Sequence, residues 1–524
     1  MAADNGGNDA KKRPYEYDLA VIGGGSGGMA AAKEAARLGA KVVLFDYVKP
    51  SPKGTKWGLG GTCVNVGCVP KKLMHQSALI GVSLHDAVSY GWKMPAEGVE
   101  LDWEKLRSNV QGHVKLLNFS YKGGLASAGV NYINGLAKFE DDHTISFVRR
   151  FKEKNPAETL TADKILIAVG GRPYVPKDVP GTEHCITSDD IFALKKSPGK
   201  TLCVGAGYIA LECAGFLNEI GFETVIAVRS MLLRGFDRDA ADKIHEVMEA
   251  AGNKFLMGAT PKAIKKLDDG QLEVTFAMKD GDDRVDTFDT VLYAAGRYAD
   301  TTGLNLDAAG LKVDASGKFK SPDGTETTNV PHIFAVGDVL ADRPELTPVA
   351  IDAGEKLVRR LFAGSTKTVN YDLVATTIFT PSEYGVCGLS EAEAAERHGA
   401  DAVETFLWQW TSLEVQAAHR LKHKSVRVDP IDYVPANCMC KLVCLKAEKN
   451  RVIGFHYVGP SAGEVTQGVA IAMRCGATKE DFDETIGIHP TDAEAYTTME
   501  VTRADVKEPG DWTAAAGCGG GKCG

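Results

Sequence analysis

The chain predicts an α/β fold: two Rossmann-like dinucleotide-binding domains followed by a separate α+β domain. Three observations predict it. A strand, glycine turn, helix, strand pattern opens at residues 17–46. The same pattern returns at residues 201–230. The last third alternates strands and helices without a glycine fingerprint.

The first unit reads YDLAVIGGGSGGMAAAKEAARLGAKVVLFD. The apolar run at 18–22 predicts a strand, the alanine-rich stretch Gly27–Leu38 a helix, and Val42–Phe45 a second strand. Between strand and helix stand Gly23, Gly25, Ser26 and Gly28, and Asp46 closes the second strand 23 residues after Gly23. This is a dinucleotide fingerprint in its required context. The glycines permit a tight turn and close approach to a pyrophosphate, and the helix N-terminus offers unpaired N–H groups. An acid at the second strand end accepts a bond from a ribose hydroxyl.

The second unit reads TLCVGAGYIALECAGFLNEIGFETVIAVRS, with Gly205, Gly207 and Ala210 in the turn. Arg229 stands where the first unit has its acid, followed by Ser230 and Arg234. An arginine there pairs with a 2′-phosphate that an acid would repel. The second site therefore suits NADPH, and the first a nucleotide without that phosphate. Two such sites fit flavin chemistry, in which a flavin takes a hydride from NADPH and passes electrons to a disulfide. The later segment TNVPHIFAVGDV ends a strand at Gly337-Asp338, which suits either a flavin ribityl or phosphate contact or a plain N-cap.

The last third contains VATTIFTPSEYGVCGLSEAEAAER and VIGFHYVGPSAGEVTQGVAIAMRCG, strands with following helices. The chain ends in GCGGGKCG, a stretch with almost no side chain to bury, expected to be a mobile arm. The first fifteen residues are expected to be a disordered polar tail. The 524 residues include 25% charged and 44% hydrophobic residues at a net charge of −9, which argues against a basic nucleic-acid face. No apolar run reaches the ~18 residues of a membrane span. The acidic opening lacks an apolar leader, so a cytoplasmic enzyme is expected.

Twelve cysteines in so long a chain need no disulfide scaffold. Cys63 and Cys68, in GGTCVNVGCVPKK, precede a helix-like segment, whose dipole favours a thiolate. A distorted first helical turn would bring the two sulfurs within bonding range. A metal site would need two more ligands, and only His75 is close. Cys518 and Cys523 repeat the same spacing in the terminal arm. Disulfide exchange also needs an acid–base group, and IGIHPTDAEAY supplies His489 with Glu494 to fix its tautomer. Cys203 and Cys213 read as core. Cys438, Cys440 and Cys444 read as one buried strand face with Leu442.

Gly23–Gly28, GGTCVNVGCVPKK, Gly205–Ala210, AVGD and HPTDAE, in this order, resemble the pyridine nucleotide-disulfide oxidoreductases over nearly the whole chain. The resemblance implies an FAD-binding domain (16–175 and 300–370), an inserted NADPH-binding domain (176–299), a C-terminal dimerisation domain (371–505) and a redox arm (506–524). It implies a homodimer in which Cys63 and Cys68 of one chain work with His489 and Glu494 of its partner. Gly61, Thr62 and Lys71 then join the FAD set. Tyr208, Ile209, Glu212, Gly296 and Arg297 join the nicotinamide set, with Tyr208 as a lid. Within the family the motifs are most similar to the large thioredoxin reductases, and the Cys518–Cys523 spacing to the variant of malaria parasites and other apicomplexans. The function implied is reduction of thioredoxin, with electrons passing from NADPH to FAD, to Cys63–Cys68, and to the partner's terminal pair.

Glutathione-disulfide reduction is the alternative, although Glu355 has the wrong charge to hold that substrate's carboxylates. Mercuric-ion reduction, and a flavoprotein binding subunit with a metal-binding tail, are weaker alternatives.

Overall fold

The computed structural model describes residues 14–95, 98–152, 154–418 and 436–506. Strand β1 (Tyr17–Ile22) pairs in parallel with β2 (Val42–Asp46) on one side and with Glu158–Ile167 on the other. Ile333–Ala335 adds in parallel beyond Glu158–Ile167. The sheet is covered on both faces, which is why its strands read as unbroken apolar runs. Leu19, Val21, Val42 and Leu44 pack with Met29, Ala32 and Ala35 of α1 (Ser26–Arg37) and with Leu357 of the helix Thr347–Ala363. Ala20, Ile22, Val43 and Phe45 cluster instead with Ile133, Phe139, Ile145 and Phe147 of an antiparallel layer.

The second unit repeats this geometry. Thr201–Val204 lies between Thr224–Val228 and Thr290–Tyr293, all parallel, with Lys254–Met257 and Ile186–Thr187 at the edges. The helix Tyr208–Glu219 follows the glycine turn. Gly23 and Gly205 hold φ of 120° and 127°, a region only glycine adopts freely. A Cβ on Gly23 would lie 2.2 Å from the Ala168 carbonyl oxygen, and on Gly205 2.4 Å from that of Ala294. In both units the turn is thus threaded against the strand neighbouring its own.

The C-terminal unit is a five-stranded antiparallel sheet in the order Thr376–Ile378, Glu383–Gly388, Arg451–Gly459, Cys438–Leu445, Val403–Trp410. The helices Glu391–His398 and Ala462–Arg474 accompany it. The architecture is therefore two dinucleotide-binding units and an α+β unit.

Two local expectations are corrected. Cys63 and Cys68 do not share one distorted helical turn. Gly67, at φ −137° and ψ −119°, separates α2 (Gly61–Val66) from α3 (Cys68–Ala87), so Cys68 begins a 20-residue helix of its own. A Cβ on Gly67 would stand 3.0 Å from the Thr62 carbonyl oxygen, so a side chain there would press on the end of α2. The strand Cys438–Leu445 is buried along its whole length, not on one face, because it is an inner strand covered on both sides. Cys440, Leu442 and Cys444 do share one apolar cluster. Cys203 and Cys213 are buried, as expected of core cysteines.

Candidate functional site

A cleft of about 1130 Å³ runs between the first two units and reaches the third. It exceeds the ~300–1,000 Å³ typical of small-ligand pockets and suits a dinucleotide. Gly23, Gly25, Ser26 and Asp46 line it from the first unit, Gly61, Thr62, Cys63, Cys68 and Lys71 from α2 and α3, and Gly337 and Asp338 from the later strand end. Tyr208, Ile209, Glu212 and Arg297 line it as well.

The chain fits FAD at this cleft on three observations. First, α1 starts at Gly25 with no side-chain cap and no acid in its first turn, so its leading N–H groups are left for an external anion. Second, the backbone is bare where a pyrophosphate must approach: a Cβ on Gly61 would sit 2.7 Å from the Gly25 Cα. Third, Asp46 is half-buried at the cleft wall and accepts from the Gly24 N–H at 3.0 Å. Burial pushes its carboxyl up to about 6, and a ribose hydroxyl would supply a further donor. Burial likewise raises Asp338. Gly28 is not on the cleft; its absent Cβ would lie 2.0 Å from the Gly23 carbonyl oxygen, so it sets how closely helix meets turn.

Cys63 and Cys68 are both free and hydrogen-bonded to each other. The Cys63 thiol donates to Cys68, and this bond is the largest influence on both. With burial opposing, and the Thr347 hydroxyl and Lys71 charge assisting, the Cys68 thiol is held down to about 6. Donation and burial push Cys63 far up. The Thr347 Oγ1 lies 3.7 Å from the Cys68 Sγ. Cys68 has open surface, but that surface faces the cleft.

Beside the pair, Lys71 on α3 forms an ion pair with Glu212 on the helix Tyr208–Glu219, joining the two units. Glu212 also accepts from the Phe379 N–H at 2.8 Å, and the Lys71 ammonium stands 4.5 Å above the Phe379 ring. Arg297 donates to the Gly171 carbonyl at 2.6 Å and reaches Thr62 at 3.5 Å, so it bridges toward α2. Gly207 begins the second helix without a side-chain cap, as Gly25 does the first. Arg229, Ser230 and Arg234 follow Thr224–Val228 and are exposed, with Arg234 donating to the Ser230 hydroxyl at 3.0 Å. Gly296 holds φ of 127° one residue before Arg297. These last residues lie outside the cleft and form a basic edge beyond it.

His489 Nδ1 lies 3.1 Å from both carboxylate oxygens of Glu494, the pairing expected. Both stand outside the cleft, and His489 is exposed. His75 is not a partner of the cysteines. It is buried with its Nε2 2.9 Å from Glu383. Glu355 pairs with Arg359 at 2.9 Å within one helix. Among the described residues, the one cluster at metal-ligand proximity is Asp142, His143 and His332, away from all of these. Cys518 and Cys523 lie outside the described residues. Sequence reasoning missed Thr347 and Phe379. Thr347-Pro348 does carry a helix-start signal, but nothing local says that the threonine meets Cys68.

Residues 17–354 match the pyridine nucleotide-disulphide oxidoreductase family, and residues 374–500 match its dimerisation domain. A thioredoxin reductase of Plasmodium falciparum (isolate FCH-5) is 52% identical over 99% of this chain and 94% of its own length. Thioredoxin reductase SEP1 of Emiliania huxleyi is 47% identical over 96% of this chain and 99% of its own. The mitochondrial thioredoxin reductase 2 of Drosophila melanogaster is 47% identical over 95% and 94%. With a cleft of dinucleotide size, two free cysteines on its wall and these likenesses over nearly its full length, the chain belongs to the pyridine nucleotide-disulphide oxidoreductases, among the high-molecular-weight thioredoxin reductases.

Proposed function

We propose that the chain reduces thioredoxin disulfide with electrons from NADPH in two dithiol stages. FAD and NADPH are the cofactors. Cys63 and Cys68 are the first stage, and Cys518 and Cys523 of the partner subunit the second. When bound, FAD takes a hydride from NADPH and delivers an electron pair to the Cys63–Cys68 disulfide. Gly23, Gly25, Ser26, Asp46, Gly61, Thr62, Lys71, Gly337 and Asp338 would hold it. Gly205, Gly207, Tyr208, Ile209, Glu212, Arg229, Ser230, Arg234, Gly296 and Arg297 would hold NADPH, the arginines on its 2′-phosphate.

The observation that carries this reading is the pair Cys63 and Cys68 on the wall of the cleft, with Cys68 opening α3 beside Thr347. Cys68, at the N-terminus of α3 and near Lys71, keeps the charge. Cys63 keeps the proton and must release it to attack a further disulfide. That step needs a base, and His489 oriented by Glu494 is built as one. Since His489 stands outside its own chain's cleft, the base for each site comes from the partner subunit. Cys63 then attacks one sulfur of the arm disulfide, a mixed disulfide forms, and the other arm sulfur leaves and takes the proton from His489. Cys68 then attacks the Cys63 sulfur of the mixed disulfide, the second arm sulfur leaves as a thiolate that takes a proton from solvent, and the Cys63–Cys68 disulfide is restored. The arm dithiol reduces thioredoxin by the same exchange.

The domain limits in this reading are 16–175 with 300–370 for FAD, 176–299 for NADPH, 371–505 for dimerisation and 506–524 for the arm. Localisation to the cytoplasm, a reducing compartment, belongs to the same reading. Among the described residues no helix is long and apolar enough to cross a membrane. The test is NADPH-dependent reduction of thioredoxin by the intact protein and by Cys63→Ser. The intact protein should turn over and Cys63→Ser should be inactive. Retained turnover in Cys63→Ser would refute the route.

A further inference from the structure

We propose that Phe379 is a positioning residue for the redox site: it holds the Lys71 ammonium on Glu212 and so keeps that cation beside Cys68. This rests on the reading above, in which Cys63 and Cys68 are the first dithiol stage. Phe379 stands in the turn between the strands Thr376–Ile378 and Glu383–Gly388 of the third unit, and it lines the cleft. Its backbone N–H donates to Glu212 at 2.8 Å. The Lys71 ammonium stands 4.5 Å from the centre of its ring, and the Lys72 ammonium 4.1 Å. His75, one turn further along α3, meets the same ring at 5.7 Å and an interplanar angle of 66°. One residue of the third unit thus touches the carboxylate of the Lys71–Glu212 pair with its backbone and the cation with its ring.

Lys71 and Lys72 are neighbours on α3, and two buried carboxylates, Glu212 and Glu383, flank them. A lysine is a point charge on a flexible stem and has no fixed direction of its own. Phe379 sorts the two. Lys71 pairs with Glu212, while Glu383 accepts from Lys72 at 3.2 Å, from His75 Nε2 at 2.9 Å and from the Gly463 N–H at 3.2 Å. The face of an aromatic ring attracts an ammonium and takes no proton from it. Cys68 feels the outcome. The Cys63 thiol, the Thr347 hydroxyl and the Lys71 charge lower its thiol, whereas burial and the Glu212 charge raise it. Without the ring Lys71 is free to turn toward solvent. That withdraws a cation from Cys68 and leaves Glu212 less neutralised, and both changes disfavour the thiolate.

The experiment uses the full-length flavin-loaded protein, reduced with a soluble dithiol that is then removed. The pH midpoint of its ultraviolet thiolate absorbance is read in the unchanged protein, in Phe379→Leu and Phe379→Tyr, in Lys71→Met, and in Lys71→Met combined with Phe379→Leu. Phe379→Leu should raise the midpoint by about half a pH unit, a roughly threefold loss of thiolate below it. Phe379→Met, which fills the site without a ring, should do the same, so a poorly folding leucine variant does not remove the test. Phe379→Tyr keeps the ring and should keep the midpoint. With Lys71→Met in place, adding Phe379→Leu should move it no further, since the two residues act as one unit. An unmoved midpoint in both ringless variants, or the same rise without Lys71, would overturn the proposal. These midpoints need neither NADPH nor thioredoxin. Failure of the unchanged protein to reduce thioredoxin with NADPH would therefore sink the functional reading, while the midpoints alone decide the role of Phe379.

Discussion

In the proposed route, the direction of exchange follows from Cys68 being the thiolate and Cys63 the thiol. Cys68 is held down to about 6 first by the Cys63 thiol it accepts from, with Thr347 and Lys71 adding to this against burial. The pair therefore carries one negative charge across the neutral range, and it is protonated as pH falls through about 6. Because this pKa is depressed on folding, the stabilisation it brings is fully present only above the ordinary thiol range and is lost as pH falls through about 6. In the reduced enzyme, ultraviolet thiolate absorbance from this pair should vanish with a midpoint near pH 6. Cys63→Ala should move that midpoint upward by a unit or more, since it removes the largest cause. An unmoved midpoint would show that the helix and Lys71 hold the thiolate unaided. These cysteines were legible in the sequence because their spacing is local. Thr347 was not, since it meets Cys68 across 279 residues of chain.

Among the elements, the glycine turns do more than admit a cofactor. Gly28 lies where α1 crosses its own turn, with no room for a Cβ beside the Gly23 carbonyl. Gly28→Ala should therefore lift the helix from the turn, and the purified protein should lose most of its bound flavin, read from its visible absorbance. The matching turn at Gly205 ends instead on a basic edge. A charge-assisted bond to a phosphate contributes about 1.5–3 kcal/mol, so Arg234→Ala should raise KM for NADPH roughly tenfold or more. KM for NADH should hardly change, because NADH lacks the 2′-phosphate. Equal losses for both nucleotides would place Arg234 elsewhere. Both turns and their distinguishing acid and arginines could be read from the sequence, since each motif occupies some thirty consecutive residues. The break at Gly67 could not. It is a backbone turn between α2 and α3, which the C-x-x-x-x-C spacing does not encode.

At the scale of the whole molecule, a single chain brings most of the proposed FAD set, with Cys63 and Cys68, to one cleft but leaves the arginines Arg229 and Arg234, and also His489 and Glu494, outside it. The proposed dimer, with its sites shared between subunits, accounts for the placing of His489 and Glu494. Mixing Cys63→Ser and His489→Ala subunits should then restore activity in the mixed dimers, since one of their two sites keeps both residues. If each site used its own histidine, no mixture would regain activity. The His489–Glu494 pair itself was readable, being five residues apart. The joining of units by Lys71–Glu212, and by Arg503, Glu391, Asp239 and Lys441, was not, because those partners are 50 to more than 200 residues apart. The central claim is that electrons leave the enzyme through the terminal pair. The most direct measurement is NADPH-dependent thioredoxin turnover by protein lacking residues 518–524, with flavin reduction followed in the same sample. The account predicts that flavin reduction persists while thioredoxin turnover is lost. Full thioredoxin turnover without those residues would contradict it.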